Sequence, residues 1–295
     1  MRELEEFFKA AANGEMNKVK NYLKSGVDIN VGDEEGYTAL HWAVQEGCIE
    51  LVKFLIEQGA DVNKRDNDVF FPLEIACTQG HFEIVKLLVN NNCDLSLHRN
   101  HYTPLHSAAA TGRYEIVRFL IEKGMDVNKG DYSGYTPVHW ATQEGHLEVI
   151  KLLVEFGGNL ELKDNEGSSP IYIASAEGHT DIVNFFISKN VNINSKNEGS
   201  SNCTPLHVAS AYDRIETVKI LLENRADLEA KDDNGRTSFF YGVQYNNNEV
   251  VKLLLKYGAN KDIKDNNGKT LKDIINPKNK ELMEILKGFS RFCDR

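Results

Sequence analysis

The sequence predicts an all-α fold of the solenoid type, built from short helix-turn-helix units that stack on one another and are joined by hairpin-like fingers. Three observations lead there. The first is a period: Thr38, Phe71, Thr103, Thr136, Ser169, Thr204, Thr237 and Thr270 occupy one repeat position at intervals of 32 to 35 residues, a spacing typical of stacked repeats. The second is a helix-start signal. Thr103, Thr136, Ser169 and Thr204 each precede a proline, so a hydroxyl is offered to an orphan amide of the first turn and the next residue lacks an N–H where none is needed. The third is helical spacing of apolar residues, as in Ile84, Val85, Leu87 and Leu88 with Glu83 and Lys86 on the other side.

The elements follow in order. Stepping back one period from Thr38 reaches Glu5, where EEFFKAAANG makes a divergent first unit; Glu5 and Lys18 stand at positions that are mostly apolar or Thr elsewhere. In the internal units Gly47, Gly80, Gly112, Gly145 and Gly178 close a short first helix in the left-handed conformation. A longer amphipathic helix follows, then a finger such as GADVNKRD, GMDVNKGD or RADLEAKDDNG, whose Gly, Asp and Asn suit tight turns. Beyond about residue 195 the pattern loosens: Asp213 and Asn246 replace the turn glycine, Ser238 and Phe239 replace Pro-Leu, and NSKNEGSSNC carries a two-residue insertion. These later units are expected to be the less stable ones. The last unit carries Lys272 and ends in Leu282, Ile285 and Leu286. No unit can bury its apolar face alone, so residues 1–295 are expected to form a single domain, with 1–33 as N-terminal cap, 34–264 as seven internal repeats and 265–295 as C-terminal cap and tail.

The tetrapeptide T-P-L-H or a close variant recurs at Thr103–His106, Thr136–His139 and Thr204–His207, with T-A-L-H at Thr38–His41. With units such as GYTPVHWATQEGHLEVIKLLVEFG held in one register, the chain resembles the ankyrin-repeat family over essentially its whole length. The resemblance implies a protein-protein interaction module, a stand-alone adaptor, scaffold or inhibitor that uses a concave surface of finger tips and first helices. It equally allows a targeting subunit of an enzyme assembly, such as a ubiquitin-ligase substrate receptor or a proteasome-assembly chaperone, or a host-directed effector of a parasite. It also implies that His41, His106, His139 and His207, at one repeat position, and His81, His146 and His179, at another, bond neighbouring turns rather than catalyse.

Composition narrows the function. A formal net charge of −10 over 295 residues disfavours a phosphate-tracking surface, which needs clustered Lys and Arg, and suits a protein partner that brings basic and apolar side chains. Five scattered cysteines, Cys48, Cys77, Cys93, Cys203 and Cys293, share no metal-ligand spacing and read as reduced thiols of a cytoplasmic or nuclear protein. The acidic N-terminus is unlike a secretory signal, and no run of eighteen apolar residues is present. His98 and His101 near Cys93 lack a fourth ligand, so no metal is expected. No nucleophile elbow, phosphate loop or dinucleotide fingerprint occurs; the expectation is a monomeric protein that is not an enzyme and takes no cofactor.

The candidate binding residues are those the repeat does not require. One residue before the aligned position stand Tyr37, Phe70, Tyr102 and Tyr135; Trp42 and Trp140 lie four residues after it, and Tyr132 lies at a finger tip. Aromatic side chains on a rigid surface bring large contact area at little rotamer cost. Glu46 and Glu144 accompany them on the first helices, with Glu34, Glu35, Asp164, Glu166 and Glu177 nearby, as acids that steer a basic partner.

Overall fold

The computed structural model describes residues 2–96 and 99–288. Its helices come as nine pairs: α1 and α2 (Arg2–Ala12, Met16–Lys24), α3 and α4 (Ala39–Gln45, Ile49–Glu57), α5 and α6 (Pro72–Gln79, Phe82–Asn90), α7 and α8 (Pro104–Ala110, Tyr114–Glu122), α9 and α10 (Pro137–Gln143, Leu147–Glu155), α11 and α12 (Pro170–Glu177, Thr180–Ser188), α13 and α14 (Pro205–Ala211, Ile215–Glu223), α15 and α16 (Ser238–Gln244, Asn248–Lys256), and α17 and α18 (Leu271–Ile274, Lys280–Gly288). The chain forms two compact units, Met1–Tyr132 with Glu148–Gly157, and Ser133–Leu147 with Gly158–Arg295.

In the first unit α1, α3, α5 and α7 pack in sequence, each first helix against the next. Second helices line up behind them, with α4 on α6 and α6 on α8. The core holds Phe7, Leu40, Leu51, Leu55, Ile84, Leu88, Leu105 and Leu120, each 2% exposed or less; burying such a side chain is worth about 1.5–3 kcal/mol. Leu87, expected among the buried residues of α6, is only half-buried. In the second unit α11 lies between α9 and α13, α13 packs on α15 and α15 on α17, with α12, α14, α16 and α18 behind. Phe186, Leu206, Leu221, Phe239, Phe240, Leu254 and Leu282 fill that core.

The histidine column is the polar counterpart of this packing. The Thr103 amide donates to His106 Nδ1 at 3.0 Å and its hydroxyl lies 2.8 Å from the same nitrogen. Because Nδ1 accepts the amide proton, the ring proton sits on Nε2, which donates to the Lys129 carbonyl at 2.9 Å. Thr204 and His207 repeat the relay, ending at the Arg236 carbonyl at 3.0 Å, and Thr136 and His139 end at the Ser168 carbonyl at 3.3 Å. Burial lowers the pKa of His41 and His207, in keeping with neutral imidazoles.

A second connection uses the residue before each second helix. The Nε2 of His81 donates to the Gln45 carbonyl at 3.1 Å, Arg214 Nε to the Ala176 carbonyl at 2.8 Å, and Asn247 Nδ2 to the Ser210 carbonyl at 2.8 Å. This contact explains Gly47 further than backbone conformation alone does: at φ +71 a β-carbon there would stand 2.8 Å from His81 Cε1. Asp213 and Asn246 take the same turn at φ 56 and 62, as two of the residue types that best tolerate the left-handed region.

The fingers reverse the chain without forming strands among the described residues; isolated antiparallel bridges occur at Arg99–Tyr102, Asn197–Cys203 and Lys264–Thr270. Aspartate carboxylates do what a ladder would otherwise do. Asp232 Oδ1 accepts from the Asn234 and Arg236 amides at 2.8 Å each, and the Asp232 amide closes the turn on the Arg236 carbonyl at 2.9 Å. Adjacent fingers share single backbone bonds, such as the Asn67 amide to the Glu35 carbonyl and the Asp233 amide to the Ser201 carbonyl, both 2.9 Å. The two-residue insertion folds as a short 3-10 turn, Glu198–Ser200, in which Asn197 Oδ1 accepts from the Ser200 amide at 2.6 Å.

Where an aromatic residue replaces the histidine, the helix-start hydroxyl loses its partner. Tyr172 and Phe240 stand at the histidine position, and the buried Ser169 and Thr237 hydroxyls have no hydrogen-bond partner. Thr204→Val is therefore expected to cost about 1–2 kcal/mol in chemical unfolding, whereas Thr237→Val, which removes an unsatisfied hydroxyl, is expected to be neutral or stabilising. Equal losses at both positions would show that the relay contributes nothing.

Candidate functional site

Six of the residues expected to bind a partner, Tyr37, Phe70, Tyr102, Trp42, Tyr132 and Glu46, belong to the first unit; Tyr135, Trp140 and Glu144 belong to the second. The column tyrosines are half-buried and rest on their own repeats. The Tyr37 ring lies 5.3 Å from the His41 ring and 5.2 Å from Trp42; Tyr102 lies 5.4 Å from His106; and Tyr135 lies 5.4 Å from both His139 and Trp140. Phe70 lies beneath the Arg99 guanidinium, 4.2 Å from ring centroid to Cζ. One part of each ring is thus committed to holding the finger on its helix and another faces outward. Both tryptophans are half-buried as well, and Trp42 is oriented by a 2.8 Å bond from Nε1 to Asp33 Oδ2. Tyr132, 75% exposed, is the most open large apolar side chain among the described residues.

The acids divide into two kinds. Glu46, Glu144, Glu34, Glu35, Glu166 and Glu177 are exposed. Asp164 is not: expected as an accessible finger acid, it is 7% exposed and accepts the Glu166 and Ser168 amides at 2.9 and 2.7 Å. Its charge is spent on holding the finger. A finger aspartate five residues before the aligned position is an architectural group, and only the acids around it are open to a partner.

The second unit carries aromatic residues that the column one residue before the repeat position does not reveal. Tyr241 stands where Trp42 does in its own repeat, and its hydroxyl donates to Asp232 Oδ2 at 2.9 Å, the equivalent of the Trp42–Asp33 bond. Tyr212 and Tyr245 stand at the Glu46 position and are 61% and 53% exposed, and Tyr172 and Tyr212 line a groove of about 340 Å³ with Arg214 and Glu177. The signal was present eight residues after Thr204 and Thr237, in the same alignment.

The third repeat departs most from the rest. Val69 takes a position where Gly36, Gly134, Gly167 and Gly235 stand in other fingers, at φ 67, a conformation that strains a β-branched residue. Phe71 offers no capping hydroxyl, and Glu74 replaces the histidine, 2% exposed. Ile75, at the Trp42 position, has no donor for the finger aspartate, so Asp66 Oδ2 is buried without a partner. His41 Nε2, whose counterparts reach the next finger's carbonyl, is also without one. Burial, opposed by Arg99 and reinforced by Asp66, raises the Glu74 carboxyl to about 7.

His98 and Cys293 lie outside the described residues. Cys93 is buried, and burial pushes its thiol up to about 11. Among the described residues no three His, Cys, Asp or Glu side chains are placed to hold a metal ion, and no helix is long and apolar enough to cross a membrane.

A family model described as ankyrin repeats (3 copies) matches residues 7–66, 66–131, 130–197 and 196–265, four blocks that cover most of the chain. No curated protein matches it.

The buried Glu74 gives the fold a pH dependence with a definite sign. Its folded pKa, about 7, lies above the ordinary 4.5, so between those values the folded chain binds more protons than the unfolded one and stability falls as pH rises. The stabilisation is complete below about 4.5 and is lost through about 7. Glu74→Gln, which mimics the neutral acid, is expected to change little at pH 5 and to stabilise at pH 8 by about 2–3 kcal/mol, read by urea unfolding at both pH values. The same effect at both would refute a buried neutral carboxyl.

Proposed function

We infer that this chain, which belongs to the ankyrin-repeat family of protein-interaction modules, is a stand-alone adaptor, scaffold or inhibitor that holds a folded partner or a peptide on its finger and first-helix surface. The observation that carries this is the double use of the column tyrosines: each is fixed by a histidine ring of its own repeat at 5.3–5.4 Å, yet remains half-exposed. A ring already fixed loses little conformational freedom on binding, so more of its contact energy appears as affinity. The exposed Glu46 and Glu144, which cap the C-termini of the first helices that follow Tyr37 and Tyr135, add attraction for basic groups and speed encounter rather than tighten the final complex.

The net charge of −10 supports a protein rather than a nucleic-acid partner. In this proposal the protein works as a monomer in the cytoplasm or nucleus, without a cofactor and without turnover. Its specificity comes from which aromatic rings and acids each repeat leaves uncommitted, since the fold itself names no partner.

The test separates binding from folding. Glu46→Lys with Glu144→Lys should leave thermal unfolding within about 0.5 kcal/mol of the parent, as for surface changes generally, while slowing partner association. Tyr37→Ala, Tyr102→Ala and Tyr135→Ala together should abolish capture from lysate while helical content is retained. An unchanged set of captured proteins with both variants would remove the first-helix surface from the binding site.

A further inference from the structure

The first unit contains a groove of about 680 Å³ between the N-terminal helix and the first finger. One face of α1 supplies a wall through Phe8 and Ala12, spaced by one helical turn. Trp42 supplies the opposite side, held in place by its bond to Asp33. Asp33 is committed, since it also accepts the Glu35 and Tyr37 amides at 3.1 and 2.7 Å. The remaining rim acids are not: Glu5, Glu34 and Glu35 are exposed, and among the described residues none has an ion-pair partner. Lys9 is the basic residue of the lining.

Two carboxylates of the same unit are neutralised by lysines three residues on, Glu15 by Lys18 and Glu83 by Lys86, at 2.6 Å each; no such pair forms at this rim among the described residues. Around this groove the lining combines three exposed, unpaired carboxylates with one exposed lysine and an apolar floor. An indole face attracts cations, and unmatched acids beside it add charge of the right sign, while the apolar wall favours a neighbouring aliphatic or aromatic side chain.

We propose that this groove is a docking site for a basic, apolar segment of a partner protein, in which a Lys or Arg lies against Trp42 among Glu5, Glu34 and Glu35 while an adjacent apolar side chain meets Phe8 and Ala12. This rests on the partner-binding function proposed above and names the part of the surface, and the chemistry, that would select the partner. Salt should weaken the complex, because the rim charges are exposed and screened over about 10 Å at 0.1 M.

The experiment is a selection of random dodecapeptides displayed on phage against the full chain, and in parallel against Glu5→Gln, Glu34→Gln, Glu35→Gln. The variant should unfold at the parent temperature. Peptides recovered with the parent and lost with the variant should carry at least two Lys or Arg beside an aliphatic or aromatic residue. A synthetic copy of the most enriched peptide should shift the emission of Trp42 in a Trp140→Phe background, with a Kd at least tenfold weaker for the variant. Recovery of only neutral or acidic variant-dependent peptides, or of none, would overturn the proposal. So would sedimentation showing self-association that the variant abolishes, since a second copy would then occupy the groove. Failure here alongside continued loss of capture by the tyrosine variants would sink the groove alone; retained capture with those variants would count against the broader function.

Discussion

A pair of helices seven and nine residues long, such as α3 and α4, exposes more apolar surface than its two members can cover, so each pair depends on its neighbour to complete its core. That constraint also traps polar groups at the seam. The start of a first helix has amides that its own turn cannot satisfy, and in the seam these positions are buried, as at Thr38, Thr136 and Thr204. The neutral imidazole solves both needs at once: Nδ1 takes the amide and hydroxyl of the helix-start threonine, and Nε2–H reaches the carbonyl of the next finger, as in His106 and His207. An ammonium has no acceptor and a carboxylate no donor, so neither could close this relay, and each would carry charge into the seam.

The relay shows how substitutions at one column are accommodated. Phe240 fills the space with carbon and leaves Thr237 unsatisfied; Asp273, in the last pair, accepts the Thr270 amide and hydroxyl at 2.7 Å each, but near solvent, where an ionised carboxylate is tolerable. Glu74 is the costly variant, because it places a carboxyl in a buried seam with no bond to the helix start. The changes around it fit together: with Phe71 there is no hydroxyl to receive, and with Ile75 there is no donor for Asp66. Local rules broken together in one repeat, with Val69 strained beside them, indicate a repeat shaped by something other than stability.

Much of the fold was legible in the sequence, because the repeat forces the same solution many times. The helix starts at Thr103, Thr136 and Thr204, the left-handed turns at Gly47 and Gly145, and the substitution of Asp213 and Asn246 for such a glycine all follow from backbone sterics and capping. The site was less legible, for a physical reason. Whether an acid is available depends on what its carboxylate bonds to, and Asp164 and Glu166 look alike as charges although one is sealed into a turn by two amides and the other faces water. Tyr212 and Tyr245 of the second unit were not legible from the column that holds Tyr37, Tyr102 and Tyr135, because they occupy another repeat position.

The same distinction bears on where function can reside. A group that the stacking uses cannot also be freely offered to a partner: Asp33, Asp232 and the imidazoles are committed by two to four bonds each. What the stacking leaves over is unequal. In the first unit it leaves carboxylates beside Trp42 and the outward portion of Tyr37; in the second it leaves Tyr212 and Tyr245, whose place on earlier first helices is taken by Glu46 and Glu144. Exchanging an exposed acid for an exposed tyrosine at one repeat position changes what can be recognised there, from a cation to an apolar or hydrogen-bonding surface, and leaves the bonds that hold the repeats together untouched. Partner choice can therefore vary from repeat to repeat while the architecture is conserved by the buried relay.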